Sequence, residues 1–512
     1  MSANLFDVIE AGIRCLDAPF IKTADGDIHS YGDMLALSGQ YANALVSLGV
    51  KPDDRVAVQA DKSPEVLFLY LACLRAGAVY LPLNTDYTMD EIAYFLGDAE
   101  PVLVVCRPSV KGGFDDLAAD LAADLAADLG VMQVQTMDSA GGGSLAVIAE
   151  QSEPVFNTIA RMASDLAAIL YTSGTTGRSK GAMLTHENLT SNASVLVDFW
   201  QFTSDDILLH GLPVYHTHGL FVATNTALLS GCSLLFMAKF KAKEWGDLLL
   251  GATVMMGVPT HYHRLLSQPE FTRALTRNMR LFISGSAPLS PETHKEFAAR
   301  TGQAILERYG MTETNMNTSN PYDGARCPGT VGLPLPGVEL RIAELGTGRL
   351  LAQGEVGVIE VRGPNVFKGY WRMPERTAAE FRSDGFFITG DLGRIDDQGY
   401  VSISGRDKDM IITGGLNVYP AEIEAAIDAL PQVAETAVIG VPHADYGEGT
   451  AAIVALHPGA VIDEGSARKI LGEKLAAFKV PKRIITVNVL PRNSMGKIQK
   501  NVLRQQYQDL FR

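Results

Sequence analysis

The stretch Tyr171–Thr–Ser–Gly–Thr–Thr–Gly–Arg–Ser–Lys180–Gly181 packs three glycines, five Ser/Thr hydroxyls and a lysine into one loop, directly after the apolar run 166–170. A strand that opens into such a loop suits a polyphosphate. Gly174 and Gly177 let backbone N–H groups approach, Thr172, Ser173, Thr175 and Thr176 supply hydroxyls, and Lys180 supplies charge. It is not a GxxxxGK[ST] loop, because Gly181 follows Lys180.

Five further motifs follow: Leu212–Pro–Val–Tyr–His–Thr–His218–Gly219, Tyr309–Gly–Met–Thr–Glu313–Thr314, Thr389–Gly–Asp391, Gly405–Arg–Asp–Lys408–Asp, and Pro491–Arg–Asn–Ser–Met–Gly–Lys497–Ile498. In type and order they resemble the adenylate-forming superfamily of acyl-CoA synthetases, peptide-synthetase adenylation domains and beetle luciferases. That resemblance implies a reaction in two halves. ATP and a carboxylate give an acyl-adenylate and pyrophosphate, and a thiol then releases AMP. The implied co-substrates are ATP and CoA, with Mg²⁺.

The residue types fit that chemistry. Tyr309 offers an aromatic face for adenine, and the turn Gly285–Ser286–Ala287–Pro288 can border the base; Glu307, Arg308 and Gly310 flank it. Thr312 can donate to a phosphate, and Glu313 is a hard oxygen ligand suited to Mg²⁺. Asp391 has two oxygens for the two ribose hydroxyls. The resemblance places Arg406 near ribose and phosphate, and Thr176 among the reacting groups. Lys497 is the expected adenylation residue: an ammonium touching both carboxylate and α-phosphate lowers the barrier by charge and orientation. Singly, these would read as a core tyrosine, capping residues and a solvated lysine. Together they read as a site.

In relatives the C-terminal domain rotates between the two halves. Lys408 matches the hinge, and Gly414 and Gly415 the loop that approaches the thiol. Family members commonly have the lysine at Lys497 reversibly acetylated, so a protein acetyltransferase and deacetylase are implied partners.

His216, Thr217 and His218 lie in the motif that borders the acyl pocket in relatives. The segment Val258–Pro–Thr–His261–Tyr262–His263–Arg264 reads as a helix start capped by Thr260. If Arg264 aims into the pocket it needs a counter-anion, which a second substrate carboxylate would supply; facing outward, it is a surface residue. HTHGLF, VPTHYHR, FISGSAPL and ERYGMTETNMNTSNPY resemble malonyl-CoA synthetases. The substrate implied is malonate, with Arg264 on the distal carboxylate, His218 and Ser286 assisting, and Thr217 and Met311 walling the C2 side. One methyl is worth only about 1–3 kcal/mol, so methylmalonate is expected as a slower substrate. Other short acids, a carrier-loading enzyme and a non-catalytic nucleotide-binding protein are the alternatives; no carrier domain follows Arg512.

These residues need rigid supports. Short apolar runs alternate with helical patterns, including strand 55–59, amphipathic helix 63–76, and strands 78–83 and 102–106, which predicts a layered α/β fold with largely parallel sheets. Residues 329–404 turn β-rich, 406–409 form a charged hinge, and 410–512 suffice for a small α+β lid carrying Lys497. The N-terminal domain is thus expected at 1–405. The DLAA repeat at 116–130 reads as a surface helix with a leucine edge.

With 43 Lys+Arg against 58 Asp+Glu, net charge −15, the chain is unsuited to nucleic acid. Five scattered cysteines without CxxC spacing predict no disulfide framework and a reducing compartment. No secretory signal opens the chain, and 219–238 is uncharged but carries too many polar residues for a membrane span. A cytoplasmic enzyme is expected.

Overall fold

The computed structural model describes residues 2–124, 132–172, 179–413, 416–443, 445–493 and 496–511. Two large sheets dominate. The first has nine strands, of which Leu306–Met311, Leu281–Ser284, Val254–Gly257, Ile207–His210, Ser233–Phe236 and Pro19–Thr23 run parallel in that spatial order. The second has seven; Leu166–Thr172, Val79–Pro82, Arg55–Gln59, Leu103–Cys106 and Gln133–Thr136 form its parallel part. A four-stranded antiparallel sheet follows (Glu339–Ala343, Gly357–Arg362, Phe387–Ile395, Val401–Arg406), then a five-stranded sheet built on the long hairpin Val433–His443 and Gly447–Leu456.

The β-rich segment is less self-contained than its texture predicts. Gly369–Tyr370 pairs with Lys180–Thr185 in the seven-stranded sheet, and Leu333–Pro334 joins the nine-stranded one. This is how Tyr370 reaches the end of the phosphate-loop strand.

Helix Pro64–Ala76 differs from its expected amphipathic pattern: every residue from Val66 to Ala76 is buried. It lies under helix Tyr31–Ser47, and its one charge at the far end, Arg75, donates to the carbonyls of Leu35 and Phe156, both at 2.7 Å. With both terminal nitrogens of the guanidinium held in this way, no polar face is required. Helix Pro259–Leu266 also starts differently. Pro259 opens it at the first helical position and Thr260 makes no cap, since proline's missing N–H costs nothing there.

The uncharged stretch after Thr217 is a buried π-type turn, His218–Thr224, running into helix Asn225–Ser230 and strand Ser233–Phe236. No helix among the described residues is long and apolar enough to cross a membrane. A Cβ at Gly219 would sit 2.0 Å from the Pro213 carbonyl oxygen. Gly219→Ala is therefore expected to destabilise the protein by about 1–3 kcal/mol, read as a lower Tm, because the obstruction is backbone and cannot rotate away.

Candidate active site

The catalytic candidates gather at the carboxyl ends of the parallel strands, where open α/β sheets present their crevices. Ile207–His210 leads into the 211–217 loop, Val254–Gly257 into helix Pro259–Leu266, Leu281–Ser284 into Gly285–Ala287, and Leu306–Met311 carries Arg308 and Tyr309.

On the nucleotide side, paired strands place Asp391 opposite Arg406. Asp391 Oδ1 binds Arg406 Nε at 2.8 Å, and its Oδ2 accepts from the Tyr309 hydroxyl at 2.6 Å. Asp391 N donates to Thr389 Oγ1, which fixes the Thr–Gly–Asp turn. Asp391 holds the Arg406 pKa above its ordinary value. This is a pre-charged cradle with a buried aromatic wall. Thr312 sits half-buried in the turn between Leu306–Met311 and Asn315–Ser319, and Glu307 beneath the base turn is pushed up to about 8 by burial.

Glu313 is buried; Thr172 Oγ1 lies 3.4 Å from its Oε1, and the Tyr370 hydroxyl lies 3.1 Å from the same oxygen, its one proton shared with Glu380. Burial raises its pKa, so it gains from a cation. No cluster of three or more metal-ligating side chains exists among the described residues. One carboxylate fits a magnesium ion that takes its other ligands from phosphates and water. Ser173, Gly174, Thr175, Thr176 and Gly177 lie outside the described residues, as do Gly414 and Gly415.

The chain brings Lys497 to the same place. The residue keeps an exposed part, but desolvation by the surrounding chain and then the charge of Arg406 lower its pKa, with Asp391 and Lys408 also in electrostatic reach. Lys497 in turn acts on His216. The backbone at Gly496 lies against Thr260, where an added Cβ would stand 3.6 Å from its Oγ1. Lys408 is exposed in a 3₁₀ turn, Asp407–Asp409, whose Asp409 binds Arg504 at 2.9 Å.

On the acid side, His218 Nδ1 and Ser286 Oγ are 3.2 Å apart, and Ser286 holds a left-handed backbone, φ 70°. Burial lowers the pKa of His216 to about 4 and drives that of His218 well below the ordinary histidine value, so both rings are neutral at pH 7. Thr217 is buried with an unpartnered hydroxyl, and Met311 is half-buried. Arg264 is exposed rather than buried, and no carboxylate among the described residues pairs with it.

The buried orphan is a different arginine. Arg308, expected beside the nucleotide, is 3% exposed; its Nε and Nη2 have no partner, and no carboxylate pairs with it among the described residues. Its charge acts on His216 and His218, and its guanidinium fills the space a Cβ at Gly285 would need, at 2.4 Å. The sequence carries a hint in the adjacency of Arg308 to Tyr309, but strand alternation alone does not say which pocket it enters.

Two supports were also illegible in sequence. Lys62, beyond strand Arg55–Gln59, donates to the His210 carbonyl at 2.7 Å and approaches His210 Nδ1 at 2.9 Å. His210 Nε2 then meets the Gly219 carbonyl at 2.9 Å, closing the 211–218 loop into a ring. A lone lysine and a lone histidine have no pattern to betray them.

Comparison with known proteins places the chain in a family. The profile of the AMP-binding enzyme family matches residues 11–371, and that of the AMP-binding enzyme C-terminal domain matches 422–497. A malonate–CoA ligase of Arabidopsis thaliana is 33% identical, covering 98% of this chain and 89% of that protein. An indoleacetate–CoA ligase of Aromatoleum aromaticum is 32% identical, covering 93% of this chain and 92% of that protein. The crystal structure of ATP-bound MatB from Rhodopseudomonas palustris is 57% identical over 100% of both chains, with a TM-score of 0.97. Apo MatB at the same identity and coverage gives 0.86, so this chain follows the ATP-bound arrangement more closely. With profiles matched on both sides of the 406–409 turn, the chain belongs to the AMP-binding enzyme family.

Proposed function

We propose that this chain is an AMP-forming malonate–CoA ligase. Malonate and ATP give malonyl-adenylate and pyrophosphate; CoA then attacks the mixed anhydride, giving malonyl-CoA and AMP. Relatives of similar identity are named for acids as unlike as malonate and indoleacetate, so the pocket has to decide. One observation carries the reading: the buried Arg308, its Nε and Nη2 without partners, beside two neutral histidines. An unpaired buried charge is costly and is relieved by a bound anion. A monocarboxylate spends its only charge at Lys497 and the α-phosphate. A dicarboxylate has a second one for Arg308, held by paired hydrogen bonds.

In this scheme Lys497 draws the attacking carboxylate and the α-phosphate together, Asp391 orients the ribose, and Mg²⁺ on Glu313 would neutralise the phosphates. Ser286 and His218 complete the cradle of the distal carboxylate, and Thr217 and Met311 bound the C2 side. Arg264, exposed on the adjoining helix, raises the local potential at the mouth and assists capture. Acetylation of Lys497 would remove its charge and stop the first half-reaction.

The test is formation of AMP and acyl-CoA from ATP, Mg²⁺ and CoA with acetate, malonate, methylmalonate, succinate and octanoate. Malonate is expected to give the highest kcat/KM, with methylmalonate tenfold or more behind; a preference for acetate or octanoate refutes the substrate. Arg264→Ala is expected to raise the malonate KM about three- to tenfold with kcat nearly unchanged, because an exposed charge contributes on the order of 1 kcal/mol.

A further inference from the structure

The phosphate-side lysine already has a partner. Lys180 Nζ is 3.0 Å from Glu380 Oε1, with only 12% and 16% of the two side chains exposed, and it lies 4.0 Å from the centroid of the Tyr370 ring. Glu380 caps helix Pro374–Ala379, and its carbonyl is pinned by Ile388 N at 2.8 Å, so the carboxylate comes from a fixed backbone. It has two more partners. Arg376 Nη2 binds Oε1 at 2.5 Å, and the Tyr370 hydroxyl donates to Oε2 at 2.7 Å. That same hydroxyl is 3.1 Å from Glu313 Oε1, so its single proton links the metal-binding candidate to Glu380.

We propose that Glu380 is a positioning residue that parks Lys180 between turnovers and competes with pyrophosphate for it. When a polyphosphate enters, the Lys180 ammonium exchanges the carboxylate for phosphate oxygens. Glu380 is not stranded by the exchange, since Arg376 and Tyr370 keep both its oxygens occupied. When the β- and γ-phosphates depart, Glu380 takes the ammonium back and so hastens their release. Without such a competitor, a half-buried lysine would hold pyrophosphate too tightly for turnover. The proposal rests on Lys180 as a polyphosphate contact and is independent of the acid used.

The test is direct binding of magnesium pyrophosphate and MgATP, without acid or CoA, to the full chain and to four variants. Glu380→Gln, which keeps the shape and the Tyr370 contact, is expected to tighten pyrophosphate binding about three- to tenfold. It should also lower the pyrophosphate inhibition constant in turnover by a similar factor. Arg376→Met removes the exposed rival for Oε1, leaves Glu380 more fully to Lys180, and is expected to weaken pyrophosphate binding two- to fivefold. In a Lys180→Met background, the fourth variant, Glu380→Gln should change nothing. Tighter and weaker binding from two neighbouring substitutions cannot arise from a general loss of fold. Weaker binding in Glu380→Gln, or an equal effect with and without Lys180, overturns the proposal. If Lys180→Met alone leaves pyrophosphate affinity intact, the premise that Lys180 contacts polyphosphate fails, and the proposal fails with it.

Discussion

Lys497→Ala is expected to cut malonyl-adenylate formation by a hundredfold or more, while the enzyme still converts supplied malonyl-adenylate and CoA to malonyl-CoA within a few-fold of wild type. The asymmetry follows from what the ammonium does. Two anions must meet in the first half-reaction, and charge grows on the phosphoryl oxygens as they do; an ammonium positioned at those oxygens stabilises that charge better than water, which must reorient to do so. The second half-reaction brings a thiol to an already activated carbonyl and has no use for it. Pyrophosphate exchange reads the first half and thioester formation from adenylate reads the second. Equal loss in both would mean that Lys497 holds the fold or the lid rather than the reaction. A pH profile adds a second check. Desolvation by the surrounding chain and Arg406 lower the Lys497 pKa below the ordinary lysine value, so its proton is lost as pH rises through that lowered value. The kcat/KM for adenylation should therefore fall on the alkaline side earlier than a free lysine would impose, and Lys497→Ala should lack that limb.

How much of this was legible in sequence depends on whether a residue sits in a run. Tyr309, Glu313, Asp391, Arg406 and Lys497 belong to short contiguous motifs, and the structure does bring Lys497 into electrostatic reach of Asp391 and Arg406. The parallel strands predicted at 55–59, 78–83 and 102–106 were legible too, because a parallel strand buried on both faces is a continuous apolar run. None of them carries these residues, which sit on Leu306–Met311, on the antiparallel pair Phe387–Ile395 and Val401–Arg406, or in turns. What was lost is whatever depends on crossings between distant segments. Glu380 is 200 residues from Lys180 and in no motif. The burial of helix Pro64–Ala76 on every side depends on the carbonyls of Leu35 and Phe156, which no periodicity announces. The acid side is less legible. The sequence singles out Arg264, in a helix motif, for the distal carboxylate and places Arg308 with the nucleotide residues. Yet Arg264 ends exposed, and Arg308, flanked by nucleotide residues in the chain, is buried among the histidines. Adjacent residues on a strand point to opposite faces, so Tyr309 and Arg308 can serve different substrates.

That divergence makes Arg308 the most informative residue to change. Arg308→Met is expected to lower kcat/KM for malonate by a factor of about 30 to 5,000, since truncating one partner of a buried, hydrogen-bonded charge pair costs roughly 2–5 kcal/mol. Acetate, which has nothing to place there, should be used no worse and by a pocket now more apolar. Lysine should not rescue, because a point charge cannot reproduce two parallel N–H donors. The stability of the unliganded protein gives the sharper discrimination. A structural arginine, once removed, lowers Tm. Arg308 is instead a buried charge whose Nε and Nη2 have no partner, and replacing it with an apolar side chain of similar length relieves a desolvation cost. The unliganded Arg308→Met protein should therefore be as stable as wild type or more so, while the rise in Tm that malonate gives the wild type disappears. A drop in Tm with malonate stabilisation intact would show that Arg308 braces the fold and that the second carboxylate is read elsewhere. A gain in stability together with loss of the malonate response identifies a site that holds its strain in reserve for the dianion.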